Sequence, residues 1–147
     1  MIESNGWWTS VALIVALLGA GGCATSTPVE KAPLAEEKKQ ALKKQLIGTW
    51  RHVATVKNGN RSPAGTENGY IQWTFREDGI MKFRQKMPSV GVDQKRTTGW
   101  HLEGRNLVME AGDKGKKTYY RVDEWSGDEM KWFNYTASNT FILKRVK

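Results

Sequence analysis

The feature that most constrains the fold is a succession of short β-type segments that fills the chain after Gly48. These segments are rich in β-branched and aromatic residues, and clusters of Gly, Asn, Asp and Ser separate them. No stretch between them is long enough for the crossover helix that parallel strands require, so a parallel βαβ fold is excluded. We predict an antiparallel meander of eight strands, approximately at Thr49–Lys57, Tyr70–Arg76, Ile80–Met87, Arg96–Leu102, Asn106–Glu110, Lys117–Trp125, Glu129–Tyr135 and Thr140–Val146.

Closing this meander into a barrel satisfies the hydrogen-bonding groups at both edges of the sheet. The chain has no spare length for two separate sheets. Several strands alternate apolar and polar residues, most clearly where Ile71, Trp73 and Phe75 alternate with polar neighbours. The sequence therefore predicts an all-β fold, an eight-stranded antiparallel up-and-down barrel.

A short amphipathic helix is predicted immediately before the barrel. The stretch from Leu34 to Leu46 consists mainly of strong helix formers, with apolar residues near helical spacing. Its acidic start and basic end complement the helix dipole. The change of period at Gly48 marks the start of the strands, and we interpret residues 34–147 as one domain with an N-terminal helix.

The N-terminal segment has the composition of an export signal. The stretch from Trp7 to Gly22 is apolar or small throughout, but it is short for a spanning helix, which needs about 20 apolar residues. Small residues precede Cys23, and the whole resembles a lipobox, the cleavage motif of bacterial lipoproteins, although Ala20 stands where Leu is usual. The resemblance implies that residues 1–22 are a signal peptide and that Cys23 is lipidated. The alternative is an uncleaved N-terminal anchor.

Residues 23–33 form a Ser/Thr/Pro-containing stretch, which we interpret as a flexible tether. No Lys or Arg precedes Trp7, where signal peptides normally carry positive charge, and a different start codon would account for this. Position 24 is not Asp, which by the same resemblance implies the outer membrane, facing the periplasm. The expected localisation is therefore the cell envelope.

Charge narrows the set of partners. The chain carries 23 Lys and Arg against 15 Asp and Glu, a net charge of +8. Of these charged residues, only Glu3 precedes Cys23. An excess of this kind suits anionic partners, but it also serves simply to solvate a surface. Five basic residues are predicted on neighbouring strands: Lys82, Arg84, Lys86, Lys95 and Arg96. Export argues against nucleic acid, which leaves an envelope protein, a glycan or an anionic membrane surface.

A Gly-x-Trp motif at Gly48–Trp50 opens the first strand, and the last strand ends on a basic residue, Arg145. An aromatic strand, an Asp-Gly turn and a second aromatic strand follow between Trp73 and Phe83. These features resemble the calycin superfamily, and in particular the small bacterial lipocalin-like domains. The resemblance implies that Trp50 plugs the closed end of the barrel and that Arg145 packs across it.

Aromatic residues are the candidates for a ligand site inside the barrel. Rigid rings supply apolar contact area at low entropic cost, yet the same rings also serve to fill a core that has no disulfide. The connections Asn58–Asn68 and Pro88–Val92 either contact a ligand or are simply mobile. Five aromatic residues are the predicted ligand-binding positions: Trp73, Phe75, Phe83, Trp100 and Trp132.

Other kinds of site lack their sequence signatures. A sole cysteine excludes an intramolecular disulfide and a Cys-based zinc cluster, and His52 and His101 lack the spacing of a metal pair. No nucleophile elbow or phosphate-binding loop is present. We therefore predict no catalytic residue, metal or cofactor. The leading hypothesis is a membrane-anchored, lipocalin-like lipoprotein that binds a small apolar ligand or lipid, and the alternative is an interaction module with a filled barrel.

Overall fold

The computed structural model describes residues 28–29, 33–64, 68–111 and 115–147. Cys23, the predicted signal peptide and most of the predicted tether lie outside these residues. The helix α1 and nine strands follow one another along the chain: α1 Glu36–Leu46, β1 Gly48–Lys57, β2 Asn60–Pro63, β3 Tyr70–Phe75, β4 Ile80–Met87, β5 Val92–Glu103, β6 Asn106–Ala111, β7 Lys116–Ser126, β8 Glu129–Asn134 and β9 Asn139–Arg145.

Eight of these strands form a closed antiparallel barrel. Each strand from β3 to β8 pairs with the next one, β1 pairs with β3, and β9 pairs with β1 to close the ring. Every connection is short, so the chain runs up and down around the barrel without a crossover. The predicted fold class is confirmed, including a short helix that precedes the barrel.

The strand β2 was not predicted and replaces part of the expected connection Asn58–Asn68. Asn58 and Gly59 both have positive φ, at 51° and 77°, which is the backbone of a tight hairpin turn. The chain therefore reverses direction, and Asn60–Pro63 pairs with the last four residues of β1. All four residues of β2 are exposed, so the strand carries no apolar alternation that would reveal it.

The start of β5 also differs from the prediction. The strand begins at Val92 rather than Arg96, because a single 3-10 turn at Pro88–Val90 and a left-handed Gly91 reverse the chain within four residues. The connection predicted at Pro88–Val92 is thus a tight hairpin. The first residues of β5 are mostly polar, so apolar alternation did not predict this part of the strand.

Inward-facing side chains fill most of the barrel, and α1 covers one end of it. Leu42 and Leu46 of the helix are fully buried and join the barrel core. The remaining buried members of this core come from the strands: Trp50, Trp73, Phe75, Met81, Trp100, Leu102, Leu107, Met109, Val122, Met130, Trp132 and Leu143. The helix therefore closes one end of the barrel interior.

Candidate functional site

The closed end is built around Trp50 and Arg145, which pair directly across β1 and β9. The indole of Trp50 is fully buried and donates a hydrogen bond to the carbonyl of Leu46 at 2.8 Å. The guanidinium carbon of Arg145 lies 4.3 Å from the centre of the Trp50 ring. The same guanidinium donates to the carbonyls of Ile47, at 2.8 Å, and Gln45, at 2.7 Å. Arg145 thus ties the last strand to the end of α1, across the Trp50 ring.

Three of the predicted ligand residues lie in the packed part of the barrel. Phe75 is in edge-to-face contact with Trp100, at 5.2 Å between ring centres, and with Trp132, at 5.7 Å. The indole N–H of Trp100 donates to the carbonyl of Arg76 at 3.0 Å. All three rings are at most 5% exposed. These contacts make Phe75, Trp100 and Trp132 part of the core, and none of them lines the cavity described next.

A cavity of about 150 Å³ occupies the half of the barrel away from the helix. Two predicted ligand residues, Trp73 and Phe83, line it and contact each other at 5.7 Å between ring centres. Its remaining lining combines apolar and polar side chains: Met81, Met109, Tyr120, Arg96, Thr98, Glu110 and Thr118. No described residue of the β1–β2 connection lines it. The cavity has an apolar inner wall and polar groups on β5, β6 and β7.

The polar side of the cavity lies where two strands separate. The β5–β6 ladder ends at the pair Trp100–Met109, whereas β5 stays paired with β4 as far as Val92. The carboxylate of Glu110 lies against Gly99 across this gap, since a Cβ atom on that glycine would be 3.2 Å from Oε2. Among the described residues, the barrel wall is therefore open beside the cavity.

Arg96 stands out electrostatically at this opening. Its side chain is exposed, and within the described part of the chain it makes no hydrogen bond or ion pair. Glu110 borders the same cavity but does not pair with it. Burial raises the pKa of Tyr120 to about 12, so this phenol stays protonated at neutral pH. Among the described residues, the cavity is thus bordered by an unpaired cation and a neutral hydroxyl.

His52 lies inside the barrel beside the cavity wall, with its ring 4.3 Å from that of Phe141. Its Nε2 lies 2.9 Å from the carbonyl of Ala54 and 3.0 Å from the hydroxyl of Thr55. Burial lowers its pKa below the usual value of 6.5. The buried ring of His52 is therefore a packed, hydrogen-bonded group of the barrel interior.

Neither a metal site nor a membrane-spanning helix is found among the described residues. They contain no group of three or more His, Asp or Glu side chains placed to hold a metal ion. Within the same ranges, no helix has the length and apolarity needed to cross a membrane.

Sequence reasoning missed Arg96 and the methionines Met81 and Met109 as cavity residues. Their signal was the alternation itself, because Arg96 and Thr98 share a strand face with the core residue Trp100. Cys23, the predicted lipidation site, lies outside the described residues and has no structural account here.

Comparison with known proteins agrees with this architecture. The family model described as a lipocalin-like domain matches residues 46–132, from the end of α1 to the middle of β8. A search of curated proteins found no match. The matched segment covers more than half of the chain, with six complete barrel strands and the first part of β8, and the structure supplies the rest of β8 and β9. The chain belongs to the lipocalin-like domain family.

Proposed function

We propose that this protein binds a small ligand in the barrel cavity while a lipid on Cys23 holds it at a membrane of the cell envelope. The observation that carries the first half is the cavity, whose inner wall is apolar and aromatic. The lipocalin-like fold is typically a binding fold rather than a catalytic one, which agrees with this role. The proposal does not include an enzymatic activity.

The size of the cavity limits the ligand. Pockets for drug-sized molecules usually measure about 300–1,000 Å³, whereas a cavity of about 150 Å³ in a protein core accommodates a single benzene ring. At about 150 Å³, this cavity suits one ring or a short alkyl chain rather than a whole lipid. The apolar body of the ligand would contact Trp73, Met81 and Phe83.

The guanidinium of Arg96 makes no ion pair with the described residues, and it therefore favours a ligand with an anionic end. An apolar body directed toward Trp73 leaves its polar end near the opening, where Arg96 and the hydroxyls of Thr98 and Thr118 lie. Glu110 borders the same opening and weakens the binding of any anion placed close to it. The proposed ligand is therefore a small monoanionic amphiphile that meets Arg96 on the side away from Glu110.

The cavity is tested with 2-phenylethanol, a neutral one-ring probe, in an NMR titration of the full chain. We expect the backbone amide signals of β4 to β7 around the cavity to shift. Thr98→Phe fills the cavity and should abolish the shifts. The matched control is Thr97→Phe, because the neighbouring threonine lies on the outer face and pairs with Lys82. Equal binding by both variants, or no binding by the wild type, would refute a ligand site in the cavity.

The charge preference is tested with phenylacetate, which carries a carboxylate on a similar body. An exposed ion pair contributes about 0.2–1 kcal/mol, so Arg96→Gln should weaken phenylacetate binding by roughly two- to fivefold. The same substitution should leave the affinity for 2-phenylethanol unchanged. Lys95→Gln removes the same charge from the outer face and serves as the control. If the Arg96 and Lys95 variants weaken phenylacetate equally, the ligand recognises overall charge and not Arg96.

The anchor is tested at Cys23. We expect mass spectrometry of the natively purified protein to show a chain that begins at Cys23 and carries acyl groups. Cys23→Ser should then leave the membrane fraction, whereas a variant that stays membrane-bound at full length would indicate an uncleaved helix. A full-length chain without acyl mass would instead support an uncleaved N-terminal anchor, and would contradict the signal peptide predicted at residues 1–22. In the lipidated case, sorting to the outer membrane is expected.

A further inference from the structure

One outer face of the barrel carries a row of positive charges that runs across five adjacent strands. Lys144 of β9 pairs with Arg51 of β1, which pairs with Gln72 of β3. Gln72 pairs in turn with Arg84 of β4, and Arg84 with Lys95 of β5. Four of the five positions are cationic, and we call these four residues the cationic row. With strands about 4.8 Å apart, the row is about 19 Å long.

The cationic row faces outward because its chain neighbours face inward. Trp50 on one side of Arg51 is fully buried, and Leu143 beside Lys144 is fully buried as well. Phe83 beside Arg84 and Arg96 beside Lys95 both line the cavity. Successive residues of a strand point to opposite faces, so the row lies on the outer wall. Barrel strands are tilted by about 35–45° to the barrel axis, so the row climbs along one side rather than encircling the barrel.

Neutral groups hold the two arginines of the row in place. The ring of Tyr70 lies 5.3 Å from the guanidinium of Arg51 and 5.9 Å from that of Arg84. The amide oxygen of Gln72, in its favoured orientation, accepts two hydrogen bonds from Arg51, at 3.0 and 3.2 Å. These contacts orient the charges without neutralising them.

Acidic residues offset only a small part of this charge. Asp93 lies 3.7 Å from Arg84, and Glu129 is the register partner of Lys144 at one end of the row. Two further lysines, Lys82 and Lys86, flank Arg84 on the same strand face. Like charges on neighbouring strands destabilise a sheet. Contact with a surface of opposite charge would therefore relieve the repulsion on this face.

We infer that this face docks on the headgroup layer of a membrane that contains anionic lipids. The charges form a broad outer wall with a tyrosine among them, and tyrosine is enriched where proteins meet the membrane–water interface. Under the proposed function, either a lipid on Cys23 or an uncleaved apolar stretch from Trp7 to Gly22 would hold the chain at a membrane. The residues 23–33 that follow span at most about 35–40 Å when extended, so the membrane surface stays within reach of the domain. The choice of a membrane rests on the proposed anchoring, whereas the cationic face itself does not.

The test measures how strongly the full chain prefers anionic vesicles. The partition of wild-type protein is measured onto vesicles of phosphatidylcholine alone. It is then measured onto vesicles in which about a third of the lipid is phosphatidylglycerol. The ratio of the two partition coefficients cancels the contribution of the apolar N-terminal segment. Each basic residue near an anionic surface contributes about a fivefold gain, so Lys82→Gln/Lys95→Gln should lower this ratio by about thirtyfold. Both lysines are exposed, and the change should not affect folding.

A matched control separates this face from net charge. Lys116→Gln/Lys117→Gln removes the same charge from exposed residues of β7, which lies across the barrel from β3. This control should keep the ratio near the wild-type value, and Lys82→Arg/Lys95→Arg should keep it too. The preference should also fall at 0.5 M salt, where the screening length is less than half of its value at 0.1 M. A wild-type ratio near 1, or equal losses in the two glutamine variants, would overturn the inference.

The outcome is independent of the cavity and of lipidation. A loss of anionic preference that leaves 2-phenylethanol binding intact supports the docking face alone. If Cys23→Ser abolishes membrane fractionation while the vesicle ratio is unchanged, the anchor and the docking face are separate contacts with the membrane. A wild-type ratio near 1 combined with retention by a sulfated polysaccharide would overturn membrane docking in favour of a glycan partner.

Discussion

Replacing Arg145 with methionine should remove the main link between the last strand and the helix end. Methionine keeps much of the alkyl contact with Trp50 but cannot donate to the carbonyls of Gln45 and Ile47. The side chain of Arg145 is only 25% exposed, and we assign each of its two hydrogen bonds about 1 kcal/mol, the usual net value of a hydrogen bond in a protein. Loss of the cation–π contact with Trp50 adds about 1 kcal/mol. The expected cost is about 3 kcal/mol.

Urea unfolding, followed by tryptophan fluorescence, measures this cost. With a slope of about 2 kcal/mol per molar urea, typical of a small domain, a loss of 3 kcal/mol lowers the midpoint by about 1.5 M. The control is Lys144→Met, which changes the preceding, exposed residue and should alter the free energy of unfolding by no more than about 0.5 kcal/mol. If the two variants unfold at the same urea concentration, Arg145 does not tie the barrel to the helix.

Gly48 provides a second test of the same contact. It has a φ of +123°, and a Cβ atom there would lie 2.5 Å from Nη1 of Arg145. Gly48→Ala should therefore cost about 1–2 kcal/mol for the backbone alone, and more because the guanidinium must move. The Arg145→Met background has no guanidinium, so the cost of moving it disappears. The double variant should therefore lose about 1 kcal/mol less stability than the sum of the two single variants. Strict additivity would mean that Gly48 is required for its backbone conformation only.

Two further predictions concern the buried histidine and the helix. Because burial lowers the pKa of His52, the unfolded chain binds the proton more readily, and the domain loses stability as the pH falls below 6.5. His52→Gln should remove this loss between pH 7.5 and 5.5 in urea unfolding, and His101→Gln should keep it; a loss that persists in His52→Gln contradicts the assignment. Leu42 is fully buried, so Leu42→Ala should lower the free energy of unfolding by about 2–5 kcal/mol. The exposed neighbour variant Lys43→Ala should change that free energy by less than about 0.5 kcal/mol, and equal losses would show that the helix does not pack on the barrel.

The barrel was predictable because its strands are marked by local signals. Turn residues between apolar runs located all eight barrel strands, and the length of the connections excluded every parallel arrangement. The two differences, β2 and the first residues of β5, both lie in hairpins that extend beyond the apolar core. Asn60–Pro63 is exposed throughout, and only the Asn58–Gly59 turn indicates that the chain reverses there.

The position of the cavity was less predictable than the face that lines it. Alternation placed Trp73, Phe75 and Phe83 on one face, but it contains no information about their height along the barrel. That height follows from long-range register, which pairs Phe75 with Gly48 at the helix end and Trp73 with Phe83 further up. Phe75 therefore belongs to the packed half, while its neighbour two residues earlier lines the cavity.

The strand β5 links the three parts of the molecule. Trp100 belongs to the packed half of the barrel, Thr98 and Arg96 line the cavity, and Lys95 stands in the outer row. Because side chains alternate along a strand, a slip of one residue in β5 would place Lys95 in the cavity and Arg96 on the outer face. The buried Trp100, held by its hydrogen bond to Arg76, fixes the register that keeps these charges on their proper sides. Packing at the closed end thus determines which cation lines the cavity and which one lies on the outer wall.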